Sequence, residues 1–282
     1  MKYVATIGFF DGIHLGHQYL LSQLKEEAAK RGLQSAIITF DVHPQQVLKG
    51  ASPLLLTTYN ERVTRLRFTG VDEIFCFNFD LIHTLSAEEF AQLLHDRCGV
   101  DVLLMGYDHH FGCTNPTTLH STLAHRASTT LNSTLSTLNS ELEVVRLNEL
   151  PGEQHISSTE IRKALLEGRI VEANEMLGYA YTLMGKVVHG KAVGRTIGFP
   201  TANIEVEKGK LIPAAGVYSA EWENRKVLLN IKDTIEMYVP HFEGDLYDQT
   251  IAVELIARIR GEKHFDTLNE LKTQIQNDLL YL

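Results

Sequence analysis

YVATIGFFDGIHLGHQYLL, residues 3–21, decides the fold. Tyr3 to Phe9 is an apolar run that predicts a strand covered on both faces. From Gln18 onward the chain places Leu20, Leu21 and Leu24 on one side of a predicted helix. GIHLGH between them is then a turn entering a helix N-terminus, where unpaired N–H groups and the helix dipole favour a bound anion. Gly8 and Gly12 allow close approach of backbone to a nucleotide, and His14 and His17, three apart, both face a phosphate chain and donate hydrogen bonds to it. Two other readings stay open at this point. The segment is also readable as a polar turn without chemistry, or as a zinc pair for which the sequence places no third ligand.

Outward from this segment, strands and helices alternate. QSAIITF (34–40) predicts a strand, Tyr59 to Phe68 a helix and DEIFCF (72–77) a strand. Ser86 and Glu89 form a capping box ahead of Phe90, Leu93 and Leu94, and Gly99 supplies a stop before the strand DVLLMG. This order implies a parallel sheet with helices on both faces. Ligands of such sheets bind beyond the carboxyl ends of the strands, where the opening segment, TFDVHP (39–44) and GYDHHFG (106–112) all emerge. Residues 114–140, rich in Ser and Thr with scattered Leu, predict a weak helix pair or a mobile loop and suggest no chemistry.

After Leu183 the texture changes to short β-rich runs: LMGKVVHG, TANIEVE, GVYSAEW, KVLLNI and TIAVELIARIR. They predict a small antiparallel barrel, followed by a helix with Leu268, Leu271, Ile275 and Leu279 on one face. The expected segments are 1–181 and 182–282. Ahead of that boundary, HISSTEIRK (155–163) combines a capping box of Ser157 with Glu160 and a second anion-binding helix start, with Ser157, Ser158, Thr159 and Arg162 as phosphate contacts. Beyond it, GKAVGRTIGFPTANIE (190–205) has Gly190, Lys191, Gly194 and Arg195 placed to wrap phosphates. Thr201 and Asn203 can present oxygens to Mg²⁺, although the same loop also reads as a simple hairpin connection.

Composition narrows the function classes. A chain of 282 residues favours two hydrophobic cores, and 44% hydrophobic with 22% charged residues is the balance of a folded globular protein. A net charge of −9 argues against a nucleic-acid partner and leaves small-molecule substrates. Cys76, Cys98 and Cys113 form no CxxC pair, so neither a disulfide framework nor a zinc site is expected and a reducing cytoplasm fits. Asp11 follows too soon for a signal-peptide core, and no apolar run reaches membrane length, so no membrane association is expected.

HxGH (14–17) and SSTxxR (157–162), with GFFDGIHLGH, TFDVHP and GYDHHFG in that order, make the chain resemble the bacterial bifunctional riboflavin kinase/FMN adenylyltransferases. PTAN (200–203) and the run from LIPAAGVYSA to the chain end extend that resemblance. It implies a Rossmann-like nucleotidylyltransferase domain followed by a riboflavin kinase barrel with a terminal helix. ATP and Mg²⁺ are the implied cofactors, with flavins as substrates and products. It also implies that His14, His17 and Arg162 stabilise the pyrophosphate side of ATP, and that Glu236 is the kinase base, with Glu254 as the fallback. Gly8, Phe9 and Asp11 are further ATP candidates, and Asp108, Phe111 and Arg260 flavin candidates. Two stretches depart from the family pattern. CTNPTT follows GYDHHFG where a basic residue and glycines are usual, and only KDTI separates Asn230–Ile231 from Glu236, with Tyr238 standing where a histidine is common. These departures keep one alternative in view, a flavin-binding sensor or storage protein with one or both activities lost.

Overall fold

The structure is a computed structural model that describes residues 1–106, 142–147, 156–190 and 193–282. Asp108, Phe111, Lys191 and the Ser/Thr-rich tract, to which the sequence assigns roles or textures, lie outside the described residues. By packing, the chain divides into two compact units, Met1–Pro53 with Tyr59–His155, and Leu54–Thr58 with Ile156–Leu282. Among the described residues no helix is long and apolar enough to cross a membrane.

In the first unit, strands β1 (Tyr3–Ile7), β2 (Gln34–Phe40), β3 (Glu73–Phe77), β4 (Val100–Met105) and β5 (Glu143–Arg146) form a sheet of order β3-β2-β1-β4-β5. Every pairing in it is parallel. Successive side chains enter different cores. Ala5, Ile7, Ile38 and Leu103 pack with Phe90 and Leu94 of the Ala87–Cys98 helix. Val4, Ile37, Val102 and Leu104 pack with Leu21, Leu24 and Leu66 from the helices Leu15–Arg31 and Tyr59–Phe68. Two apolar faces on one strand are why these segments read as continuous hydrophobic runs.

The expected capping box is present, with Ser86 and Glu89 bonding reciprocally and Gly99 ending the helix at φ 70°. The expected strand Tyr3–Phe9 is shorter than its apolar run. It ends at Ile7, because Phe10 (φ 57°), Gly12 (φ 79°) and Ile13 (φ 36°) are left-handed and cannot continue a ladder. The sheet grows in one direction from β1 through β2 and in the other through β4, so the switch lies between β1 and β4. The segment leaving β1 therefore opens onto the crevice that such sheets use for nucleotides.

In the second unit, β6 (Tyr181–Val188), β7 (Thr201–Val206), β8 (Gly216–Trp222), β9 (Arg225–Ile231), β10 (Ile235–Tyr238) and β11 (Thr250–Arg260) close an antiparallel barrel of order β10-β7-β6-β11-β8-β9. Leu183, Val187, Tyr218, Leu229, Met237, Val253 and Leu255 fill it. In β11 buried and exposed residues alternate, which places Glu254 in solvent as its pattern predicts. The helices Ser158–Leu166 and Ile170–Leu177 contribute Ile161, Leu165, Ile170 and Leu177 to the same core.

The terminal helix Leu268–Asp278 follows its sequence pattern in part, with Leu271, Ile275 and Leu279 half-buried. Leu268 is exposed and the fully buried residue is Asp278, because Arg260 grips it through Nε (3.1 Å to both carboxylate oxygens) and Nη2 (2.8 Å). Removing one partner of a buried, hydrogen-bonded pair strands the other charge. With Asp278 2% and Arg260 21% exposed, Asp278→Ala is expected to cost about 2 kcal/mol, the low end for such pairs because water reaches part of the guanidinium. Urea unfolding of the two proteins measures the difference, and a change below about 0.5 kcal/mol would show the pair to be dispensable.

Candidate active sites

Leaving β1, Gly8 still donates to Ile38 O (3.0 Å), and the chain then turns tightly. A Cβ on Gly8 would press on the Phe10 ring. Ile13 is β-branched, and its left-handed backbone costs about 1–3 kcal/mol, a conformation kept only where surroundings enforce it. His14 is the residue ahead of the helix, with extended backbone, and His17 lies one turn in. Their rings stack at 3.8 Å between centroids with planes 20° apart, and Phe10 meets the His17 ring edge-on at 5.2 Å. His14 and Asp11 are buried. The two imidazoles the sequence singles out thus form one block at the start of a 17-residue helix. Such a block beside first-turn N–H groups suits a polyphosphate.

Phe9 lies between two partners, with the His43 ring at 4.7 Å and the Arg62 guanidinium at 3.8 Å from its centroid. His43, from TFDVHP, also accepts at Nδ1 from Gln45 N (3.2 Å), which starts the helix Pro44–Lys49. Arg62 is fully buried and donates to Phe40 O at 2.5 Å. Burial pulls its guanidinium below the usual value, opposed by the negative charge of Asp11.

In the second unit, Ser157 caps its helix by accepting from Glu160 N (3.3 Å). Ser158 is half-buried and Thr159 exposed. Arg162 donates from Nε to Leu54 O at 2.8 Å, so part of this guanidinium also holds the segment Leu54–Thr58.

The barrel brings together residues that are far apart in sequence. In the antiparallel β10–β7 ladder, Glu236 stands opposite Asn203 and Tyr238 opposite Thr201. Because Ile235, Met237 and Ile204 face the core, these four side chains share the outer surface. Directly opposed residues lie about 5 Å apart at Cβ, close enough to serve one substrate. Thr234 Oγ1 is 3.5 Å from Glu236 Oε1. Asn230, to which sequence reading gave no role, flanks Glu236 on the β9 side. Glu254 lies on β11, which pairs with β6 and β8 and is remote from this row.

Gly190 abuts Asn203, since a Cβ there would overlap the carboxamide. Gly194 is likewise held against Phe199 O. A cleft of about 110 Å³ lies beside this row, lined by Arg195, Thr201, Met237, Phe242 and Tyr247 among others. His189 stacks on Tyr247 at 3.8 Å. Arg260, expected at the flavin, has its guanidinium engaged by Asp278, as described above. Gly190→Ala is expected to slow any reaction at Asn203 by about 10-fold or more, since a 1 Å shift of a positioned group costs up to about 100-fold. Steady-state kinetics of the barrel reaction measures this, and an unchanged rate would show that the carboxamide is free to move.

Residues 1–160 match the FAD synthetase family and residues 177–281 match the riboflavin kinase family. The bifunctional riboflavin kinase/FMN adenylyltransferase of Listeria monocytogenes is 32% identical over 293 residues, covering 98% of this chain and 90% of that protein. That of Escherichia coli K12 is 33% identical over 294 residues with the same coverage. Among solved structures, a protein named macrolide-efflux protein from Streptococcus pneumoniae superposes with a TM-score of 0.81 at 29% identity, covering 98% of this chain and 92% of that one. With both family segments present in order and full-length relatives above 30% identity, the chain belongs to the bifunctional riboflavin kinase/FMN adenylyltransferase family.

Proposed function

We infer that the chain makes FAD from riboflavin in two ATP-dependent steps, the first giving FMN and the second consuming it. What carries this reading is one chain holding both a stacked His14–His17 pair at a helix start and an Asn203–Glu236 pair across two barrel strands. We assign adenylyl transfer to residues 1–181 and phosphorylation to residues 182–282. The substrates are small molecules, and the cytoplasm, where ATP and free thiols coexist, is the expected compartment.

For the kinase step, the Glu236 carboxylate accepts the proton of the ribityl 5′-hydroxyl as that oxygen attacks the γ-phosphorus of ATP, and ADP leaves. Gly190, Gly194 and Arg195, with Lys191, surround the phosphates. The Thr201 hydroxyl and Asn203 carboxamide would offer hard oxygen donors suited to Mg²⁺, and Gly190, packed directly against the Asn203 carboxamide, keeps that donor in place. When bound, Mg²⁺ neutralises phosphate oxygens. Flavin candidates here are Arg260 and the aromatic residues of the cleft.

For the second step, an FMN phosphate oxygen attacks the α-phosphorus of ATP while the bond to the β-phosphate breaks and pyrophosphate departs. The nucleophile is already an anion, so no base is required. The protein's work is to place the phosphates and stabilise charge on the leaving group, the role assigned to His14, His17 and Arg162. Ser157, Ser158 and Thr159 add hydroxyl and N–H donors. Gly8, Phe9 and Asp11 are assigned to the nucleotide site, and the family resemblance assigns Asp108 and Phe111 to flavin binding.

Incubation with ATP, Mg²⁺ and either riboflavin or FMN, followed by chromatographic separation of flavins, tests the reading. FMN and FAD are expected from riboflavin and FAD from FMN. Tight flavin binding without conversion would instead favour a sensor or storage protein.

A further inference from the structure

We propose that Arg62 is a positioning residue for adenylyl transfer, clamping the left-handed turn Phe10–Ile13 from beneath so that His14 and His17 meet the phosphates in register. This rests on the reading of that turn as the ATP-binding segment. Arg62 lies in the helix Tyr59–Phe68, on a side that also carries the buried Leu66. Its side chain, 0% exposed, ends between the carboxyl ends of two strands. Nη2 donates to Phe40 O, the last residue of β2, and the guanidinium plane covers Phe9, just past the end of β1, at 3.8 Å. Phe9 in turn meets His43, and its carbonyl accepts from Thr39 Oγ1 at 3.4 Å. One buried cation therefore joins the exits of β1 and β2 immediately ahead of the strained turn.

The energetics point the same way. Burying a guanidinium is costly, and an apolar side chain of similar length would fill the space more cheaply. Among the described residues, Nε and Nη1 of Arg62 are buried without a hydrogen-bond partner, which a packing role alone would not favour. What the cation supplies is a planar stack on Phe9, a bond to Phe40 O and a positive charge that balances Asp11 within the turn. A residue that merely stabilised the fold would, on replacement by methionine, lower both reactions together. One that holds a left-handed turn in register would lose turnover while the fold survives.

The test compares Arg62→Met and Arg62→Lys with wild type, measuring kcat and KM for FMN adenylylation and, in the same samples, riboflavin phosphorylation. Arg62→Met is expected to lower the adenylylation kcat by about 30-fold with KM for FMN nearly unchanged, because misplacing a catalytic group by 1 Å costs up to about 100-fold. Arg62→Lys keeps the charge and is expected to recover to within about 5-fold of wild type. Riboflavin phosphorylation keeps its wild-type rate in both, while the thermal midpoint falls in Arg62→Met, where Asp11 and Phe40 O lose a buried partner, and less in Arg62→Lys. Adenylylation by Arg62→Met above half the wild-type rate overturns the proposal, as does a parallel fall of both reactions in Arg62→Lys. Should Arg62→Met not fold, Arg62→Lys decides, its moderate loss confined to adenylylation supporting the proposal. A wild-type protein that makes no FAD would refute the functional reading instead.

Discussion

His17→Ala is expected to slow FAD formation from FMN by about 10²–10³-fold, the usual cost of deleting one donor to a developing oxyanion, while riboflavin phosphorylation keeps its rate. His17 is in the first turn of the helix Leu15–Arg31, stacked on His14 and edged by Phe10. As pyrophosphate leaves, charge grows on its oxygens, and only donors already aimed there help without reorganisation. Alanine removes one donor and also the ring against which His14 is stacked, so the loss exceeds that of an isolated surface histidine. Because the deletion acts on the transition state, kcat should fall more than KM for ATP rises. The two reactions are read in one tube. Equal loss of both would mean that His17 supports the fold, and no loss would remove it from the reaction.

Glu236→Gln is expected to lower riboflavin phosphorylation by about 10²–10⁴-fold, the typical contribution of a positioned general base, and to leave FAD formation from added FMN intact. Glutamine has the same shape and keeps the β10 ladder with Asn203 and Asn230, but it cannot take the hydroxyl proton. Asn203→Ala should produce the same selectivity through loss of an oxygen donor on the neighbouring strand. Glu254→Gln serves as the comparison. Glu254 is exposed on β11 and outside the row of Glu236, so its replacement should leave phosphorylation unchanged. A larger effect at Glu254 than at Glu236 would move the base to the other strand.

Much of this was legible in the sequence because its signals are local. Four strands of the first sheet follow from apolar runs of five to seven residues separated by helices, and those at Gln34–Phe40 and Val100–Met105 fall where the runs predict, whereas β5, only four residues long, carries no such run. The Ser86–Glu89 capping box needs only a spacing of three. His14 and His17 meet because the chain enters its helix at His14 and carries His17 in the first turn, a proximity that their spacing of three announces. What was missed depends on contacts between distant segments. β10 is four residues long, too short for alternation to announce it, yet it places Glu236 beside Asn203. Arg62 stands beside Arg65 and Arg67 in its helix with no local sign that sets it apart, and only the fold shows that it is buried. The terminal helix announced its apolar face, but not the ionic contact of its buried Asp278, which reaches back 18 residues to Arg260.

The central claim is that one chain attacks ATP at two different phosphorus atoms in two successive reactions. Label placed separately at the γ- and α-phosphates of ATP reads this directly. Starting from riboflavin and Mg²⁺, FAD should carry the γ-label in its flavin phosphate and the α-label in its adenylate phosphate. Starting from FMN, only the α-label should enter FAD. If FAD made from riboflavin contained neither label, or if γ-label entered FAD when FMN was supplied, the two-step account would be contradicted.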